Sequence, residues 1–283
     1  MEHTSNNEIM FMRHGFDLKS YRMRPTAELK ALSESSNFRM QSSGGIAIIP
    51  VRGPINRGEG YYGETDIYDV MKFADMARVD PSVSAALFVF DTPGGTASGC
   101  AAAAESIAML SAVKPTFGYS FGCCSAGYYM ASQIRKGNMY SSPDAMNGSI
   151  GTTTELVDAS KHYESMGVTV HTIDTGTYKN VGNESQPVTP EGKAYVQGLI
   201  NDLFSGFVKS VASGRKMSQQ SVKDLEAKVF IGAKGIDAGL IDGVCSMGEI
   251  MQNVSKVASK ASGKTNAMRS RELLMAKAKC AIR

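Results

Sequence analysis

Short apolar runs alternate with helical patterns from residue 45 onward, and this alternation predicts a layered α/β protein. Residues 46–51, 84–90 and 115–120 are short and mostly apolar, the pattern of buried strands. The Ala-rich stretch 99–110 and residues 126–134 follow two of these runs and are predicted helices. Strands and helices that alternate at this spacing favour an α/β layer fold over a sandwich or a bundle.

The second half of the chain contains the longest predicted helix. It runs from Pro190 to Ser213, with proline in its first turn and Gly214 just past its end. The other predicted elements are a strand at 138–141, a helix at 156–166, a strand at 168–173, a helix at 218–228 and a turn with a short helix at 232–241.

Composition and charge divide the chain into three parts. The 283 residues, 42% of them apolar, are enough for a sizeable core, which we place at 44–250. Residues 1–43 are mixed and polar and are predicted to form an arm, with helical spacing over 26–33. Residues 251–283 carry eight Lys and Arg against one Glu, a net +7, while the rest has 22 basic and 26 acidic residues. Such a basic tail suits an acidic partner or a solvated terminus.

Cysteine usage and the shortness of the apolar runs indicate the compartment. Five cysteines, an odd number without a CxxC motif, are typical of a reducing environment. The N-terminus lacks the roughly 7–15-residue apolar core of a signal peptide. The longest apolar runs, such as 85–90, are far shorter than the ~20 residues of a transmembrane helix. We therefore expect a soluble, cytoplasmic protein with neither a membrane nor a nucleic acid among its partners.

The segment Asp91-Thr92-Pro93-Gly94-Gly95 directly follows the second apolar run and can present backbone N–H groups to an anion. Amide hydrolysis passes through a tetrahedral oxyanion, and removing one fixed N–H donor typically costs ~2.7–4 kcal/mol. Glycine has no Cβ to block a close approach. We assign the N–H of Gly95 as one oxyanion donor and that of Ala126 as the other. The alternative is a tight strand-to-helix turn that simply needs glycine.

Ser125 is the predicted nucleophile, because it stands among small residues where a strand meets a helix. An N-cap is the alternative role for a serine in that position. Cys123 and Cys124 are also candidate nucleophiles, but a thiol nucleophile usually has a histidine partner. All four histidines lie outside the motifs, so we interpret both cysteines as small buried thiols.

Lys179 is the predicted general base. A lysine acts as a base only when neutral, so its pKa must fall from about 10.4 towards about 7–8, and burial lowers it. The surrounding segment 176–183 has no carboxylate to oppose this, and Glu184 follows just after it. A solvated surface lysine is the alternative. Ser149, in a Gly-Ser-Ile-Gly turn, is a candidate to orient the amine.

The sequence contains no pattern for a metal or a cofactor. No His, Cys and Asp cluster has the spacing of metal ligands. The glycines of residues 91–95 also lack the spacing and the following lysine of a phosphate-binding loop. We therefore expect neither metal nor cofactor.

In their order along the chain, these motifs resemble the signal peptide peptidase A family of serine peptidases. The matching positions are 45–51, 91–95, 124–127, 148–151, Lys179 and 230–242, within roughly residues 44–245. The Thr-Pro-Gly-Gly turn, the Cys-Ser-Ala-Gly turn and the Lys-x-x-Gly-Asn loop are most similar to the capsid-assembly proteases of lambda-like phages.

This resemblance implies a Ser/Lys dyad of Ser125 and Lys179, with Gly95 and Ala126 as the oxyanion hole. It implies a Clp protease/crotonase-like fold of repeated ββα units, and a homo-oligomer in which neighbouring subunits complete each other's active sites. It also implies cleavage of scaffold, portal or capsid proteins, or of the chain itself, inside the phage procapsid.

Other functions remain open from the sequence. A soluble bacterial peptidase of the same family has the same motifs, and a catalytically inactive assembly protein would suit the basic tail. A Clp-type protease needs a histidine about 25 residues after the serine, where Ile150 stands. A crotonase-type acyl-CoA enzyme does not need both Ser125 and Lys179.

Overall fold

The computed structural model describes residues 10–12, 41–58 and 64–261. The strands are β1 (Met10–Met12), β2 (Gln41–Ser43), β3 (Ile46–Arg52), β4 (Ile55–Asn56), β5 (Thr65–Asp66), β6 (Ala85–Thr92), β7 (Gly94–Thr96), β8 (Thr116–Cys124), β9 (Met139–Ser141), β10 (Met146–Gly148), β11 (Val229–Ile231) and β12 (Gly243–Val244). The helices are α1 (Ile67–Val79), α2 (Cys100–Val113), α3 (Ala126–Ala131), α4 (Ser160–Ser165), α5 (Pro190–Arg215), α6 (Gln219–Lys223), α7 (Lys234–Asp237) and α8 (residues 247–261).

A mostly parallel sheet forms the centre of the molecule. Its strand order is β11-β10-β8-β6-β3-β2, and β9 joins it beside β8 and pairs with β12. The central strands β3, β6, β8 and β10 are parallel, whereas the edge strands β2 and β11 are antiparallel to their neighbours. A second sheet has the order β1-β7-β4-β5. The predicted α/β class is therefore confirmed.

The central strands read as continuous apolar runs because both faces of the sheet are covered. In β6, Phe88 and Phe90 belong to an inner core with α1, α2, α3 and α5, whereas Leu87 and Val89 belong to an outer core. The outer core is completed by buried side chains of α8, including Val254. Residues 251–261, which the sequence analysis assigned to the tail, therefore lie in a helix that packs on the sheet.

The strand register brings three loops to the same end of the sheet. Thr92, the last residue of β6, pairs with Cys123 of β8. Cys124, the last residue of β8, pairs with Gly148 at the end of β10. The loops that leave these parallel strands therefore start side by side.

The predictions for the second half were less accurate. The predicted strand at 168–173 is wrong. These residues form no strand and all six are exposed, so their alternating side chains do not pack against a sheet. The helix predicted at 156–166 is limited to α4. The long helix is confirmed, but Gly214 lies inside it, and Lys216 ends it in the left-handed conformation.

A buried ion pair ties the end of α5 to the turn before β12. Arg215 is 1% exposed and makes two hydrogen bonds of 2.8 and 3.1 Å to the carboxylate of Asp242. The guanidinium also donates to the carbonyl of Gly239, and Asp242 accepts from the backbone N–H of Met139. Removing one partner of a buried pair leaves an uncompensated charge, which is more costly than the pair itself is stabilising.

We predict that Asp242→Asn lowers the free energy of unfolding by about 3 kcal/mol, because Arg215 loses its counter-charge in a buried position. Urea denaturation measures this change. Glu226→Gln is the matched control, since the Glu226–Lys228 pair is 69% and 61% exposed and should contribute little. Equal effects of the two substitutions would contradict the prediction.

Candidate active site

The turn between β6 and β7 requires glycine for two reasons. Gly94 has φ +106°, in the region that side chains rarely adopt. Gly95 pairs with Ile55 of β4, and a Cβ on Gly95 would lie 2.0 Å from the carbonyl oxygen of Ile55. The predicted oxyanion donor Gly95 therefore lies where two backbones approach too closely for any other residue.

Thr92 connects this glycine turn to the serine turn, a role that the sequence analysis missed. Its hydroxyl donates to the carbonyl of Gly53 at 2.6 Å and accepts from the N–H of Gly94 at 3.1 Å. Its methyl carbon lies 2.4 Å from the position that a Cβ on Gly127 would occupy. A threonine that accepts from the N–H two residues ahead is a recognisable turn signal. The contacts with Gly53 and Gly127 join distant segments and have no such local signal.

Ser125 occupies a strained turn between β8 and α3. Its φ and ψ are 53° and −118°, and a non-glycine residue in such a region costs on the order of 1–3 kcal/mol. Its N–H donates to the carbonyl of Gly148, and its carbonyl accepts from the N–H of Tyr129. The side chain is fully buried, and its Oγ has no hydrogen-bond partner.

The alternative roles for this turn are not found in the structure. The side chain of Ser125 makes no capping hydrogen bond to α3. Cys123 is fully buried, and burial raises the pKa of its thiol well above the ordinary value. Cys124 is also buried, and its Sγ lies 3.7 Å from the carbonyl oxygen of Met146. Both cysteines are therefore small buried thiols, as predicted.

Two of the other predicted residues lie beside Ser125. Ala126 is the first residue of α3 and is buried. Ser149 directly follows β10, in which Gly148 pairs with Cys124. Ser149 is 7% exposed, has φ +53°, and donates its N–H to the carbonyl of Lys228. The ends of β8 and β10 therefore present two serines in adjacent positions, each with a positive φ.

Lys179 lies on the surface of the single chain, whereas Ser125 is buried. The backbone N–H of Lys179 donates to the carbonyl of Gly176. With Tyr163, Val170 and other residues it lines a cavity of about 660 Å³. The Oγ of Ser125 has no hydrogen-bond partner, so Lys179 does not bond to it.

The segment that carries Lys179, residues 152–189, exposes many apolar side chains. Ile173 is 97% exposed. Other exposed apolar residues in and beside this segment are Val157, Met166, Val168, Val170, Tyr178, Tyr195 and Leu199. The rings of Tyr178 and Tyr195 stack with their centres 4.6 Å apart, which ties the segment to α5.

Comparison with known proteins gives the family. Residues 110–261, just over half of the chain, match the model of Peptidase family S49. The chain belongs to this family, which confirms the resemblance inferred from its motifs.

Individual relatives include phage and cellular proteases. The chain is 30% identical over 207 residues to the capsid assembly protease C of Escherichia phage lambda, covering 71% of this chain and 47% of that one. It is 26% identical over 246 residues to the chloroplastic serine protease SPPA of Arabidopsis thaliana, covering 83% and 36%. The chain thus spans less than half the length of either relative.

Among solved structures, the ClpP protease catalytic domain of Plasmodium falciparum aligns with a TM-score of 0.42 and 12% identity. The alignment covers 71% of this chain and 85% of that one. None of the helices in the described ranges combines the length and hydropathy needed to cross a membrane.

We predict that Gly127→Ala lowers the free energy of unfolding by about 1–3 kcal/mol, because the new methyl group meets that of Thr92. Thr92→Ser removes the opposing methyl group and keeps the hydroxyl, so the double variant should recover most of this loss. A double-mutant cycle by chemical denaturation measures the coupling. Strictly additive effects would contradict the contact.

Proposed function

We propose that this protein is a serine endopeptidase in which Ser125 is the nucleophile and Lys179 the general base. The main support is the turn at Ser125. Its backbone is strained, and its Oγ neither caps α3 nor has any other hydrogen-bond partner, so the hydroxyl makes no polar contact that stabilises the fold. Backbone strain of this kind clusters at active sites. The glycine turn lies beside the serine turn, because Thr92 at the end of β6 pairs with Cys123 of β8, and it carries the proposed oxyanion donor Gly95.

In the proposed reaction, the Oγ of Ser125 attacks the carbonyl carbon of a peptide bond. Lys179 accepts the hydroxyl proton and returns it to the leaving amine, and water then hydrolyses the acyl-enzyme. The N–H groups of Gly95 and Ala126 stabilise the oxyanion. Ser149 accepts a hydrogen bond from the lysine and orients it toward Ser125.

Lys179 reaches a serine of a neighbouring copy in this proposal. A lysine that acts as a base must be desolvated, whereas Lys179 is exposed in the single chain. The same segment exposes apolar residues such as Ile173 and Val168. Exposed apolar surface on this scale is typical of an interface, so association would bury the segment and bring the lysine to a partner's site.

The proposed substrates are proteins of phage capsid assembly: scaffold, portal or capsid proteins, or the chain itself. The support is the similarity to the lambda protein, which is named a capsid assembly protease. The reaction would take place in the host cytoplasm and inside the procapsid. A cellular peptidase is the second candidate, favoured by the similarity to the Arabidopsis protease.

We predict that wild-type protein, incubated with the capsid, portal and scaffold proteins of its own gene cluster, produces defined fragments by mass spectrometry. Ser125→Ala and Lys179→Ala should each reduce the rate by at least about 10³-fold, because both act in bond cleavage. Lys161→Ala, in the same exposed segment, is the control and should retain activity. Cleavage by Ser125→Ala at the wild-type rate would refute the assignment, and fragments from peptides but not from capsid proteins would favour the cellular role.

Co-expression of Ser125→Ala with Lys179→Ala tests the shared site. We expect about a quarter of wild-type activity, since half of the serines are intact and half of these meet an intact lysine from a neighbour. Ser125→Ala co-expressed with the double variant is the control and should be inactive. If the mixed sample is as inactive as this control, both residues act within one chain.

A further inference from the structure

A short segment from the N-terminal part of the chain lies along the candidate oxyanion strand. β1 pairs with β7 in an antiparallel register, with Met10 opposite Thr96, Phe11 opposite Gly95 and Met12 opposite Gly94. On the other side of β7, Ile55 of β4 pairs with the same Gly95. Because β4 occupies one edge of β7, an extended segment can pair with β7 only at its other edge, where β1 lies.

This position is the one that a peptide substrate needs. The carbonyl that is attacked must come within about 3 Å of the oxyanion donors, and Gly95 is one of the donors in our proposed function. A peptide that reaches Gly95 in an extended conformation has to run beside Gly94–Thr96, where the backbone of β1 runs. Pairing of an extended segment with a strand edge is a common mode of peptide recognition, in which main-chain hydrogen bonds supply the affinity.

The nucleophile is shielded from solvent while β1 lies on this edge. Ser125 is fully buried in the same structure. The arrangement therefore combines a nucleophile that is closed to solvent with a peptide segment lying on the neighbouring donor strand.

We propose that the outer edge of β7 is a peptide-binding edge and that the chain's own segment Met10–Met12 occupies it, excluding other peptides until it is displaced. The proposal rests on the assignment of Gly95 to the oxyanion hole. The occupant binds through its backbone, antiparallel to β7, so a competing substrate would bind in the same direction.

Phe11→Pro in the full-length protein tests this occupation, because proline removes the N–H opposite Gly95 and restricts the backbone. Asn6→Pro, outside β1, is the matched control. Hydrogen exchange followed by mass spectrometry should show faster exchange at residues 10–12 and 94–96 in Phe11→Pro only. Unchanged exchange at 94–96 would overturn the proposal, and this readout requires no catalytic activity.

The rate at which a fluorophosphonate probe labels Ser125 gives the second readout. We expect labelling of Phe11→Pro to be about tenfold faster than that of wild type and of Asn6→Pro, the change expected if β1 occupies the edge nine-tenths of the time. Equal rates in all three proteins would overturn the exclusion. Absence of labelling at Ser125 in all three would refute the proposed nucleophile instead, and hydrogen exchange would still decide whether β1 occupies the edge.

Discussion

The register of β6 and β8 is the constraint on which the candidate site depends. Ser120 pairs with Phe90, but Gly122 pairs with Asp91, so Phe121 is an extra residue in β8. Such a bulge changes the face to which later side chains point. Tyr119 accordingly belongs to the outer core, whereas Cys123, four residues later, belongs to the inner core. Without the extra residue, the side chains that follow it in β8 would point to the opposite face of the sheet, and the turn at Ser125 would start from that other orientation.

The segment 230–242 explains how the fold supports a strained serine. Phe230 of β11 pairs with Asn147, beside the end of β10 that holds the N–H of Ser125. The hydroxyl of Tyr128, in α3, donates to the carbonyl of Leu240 at 2.6 Å. Asp242 then links this turn to α5 through Arg215. A stretch with no catalytic residue of its own thus fixes both sides of the serine turn.

The sequence indicated the candidate residues that lie at the ends of buried strands, and their catalytic roles stay predictions. Ser125, Gly95 and Ser149 each follow an apolar run or a glycine turn. Such runs can be recognised in the sequence because strands that are covered on both faces of a sheet are continuously apolar. The bulge at Phe121 and the contacts of Thr92 could not be predicted, since they depend on which distant segments meet. The strand predicted from the alternation at 168–173 is wrong, because alternating side chains form a strand only where a neighbouring strand can pair with them.

The candidate site residues lie in two environments, one buried and one exposed. The serine, the glycine turn and Ser149 are held by the sheet and are buried, so their geometry is set when the chain folds. Lys179 lies on an exposed segment with apolar side chains, so its environment depends on what covers that segment. A fully solvated lysine side chain is protonated at neutral pH, so it has no lone pair with which to accept a proton. In the function we propose, the chain folds with a serine that lacks its base, and association supplies the desolvated lysine.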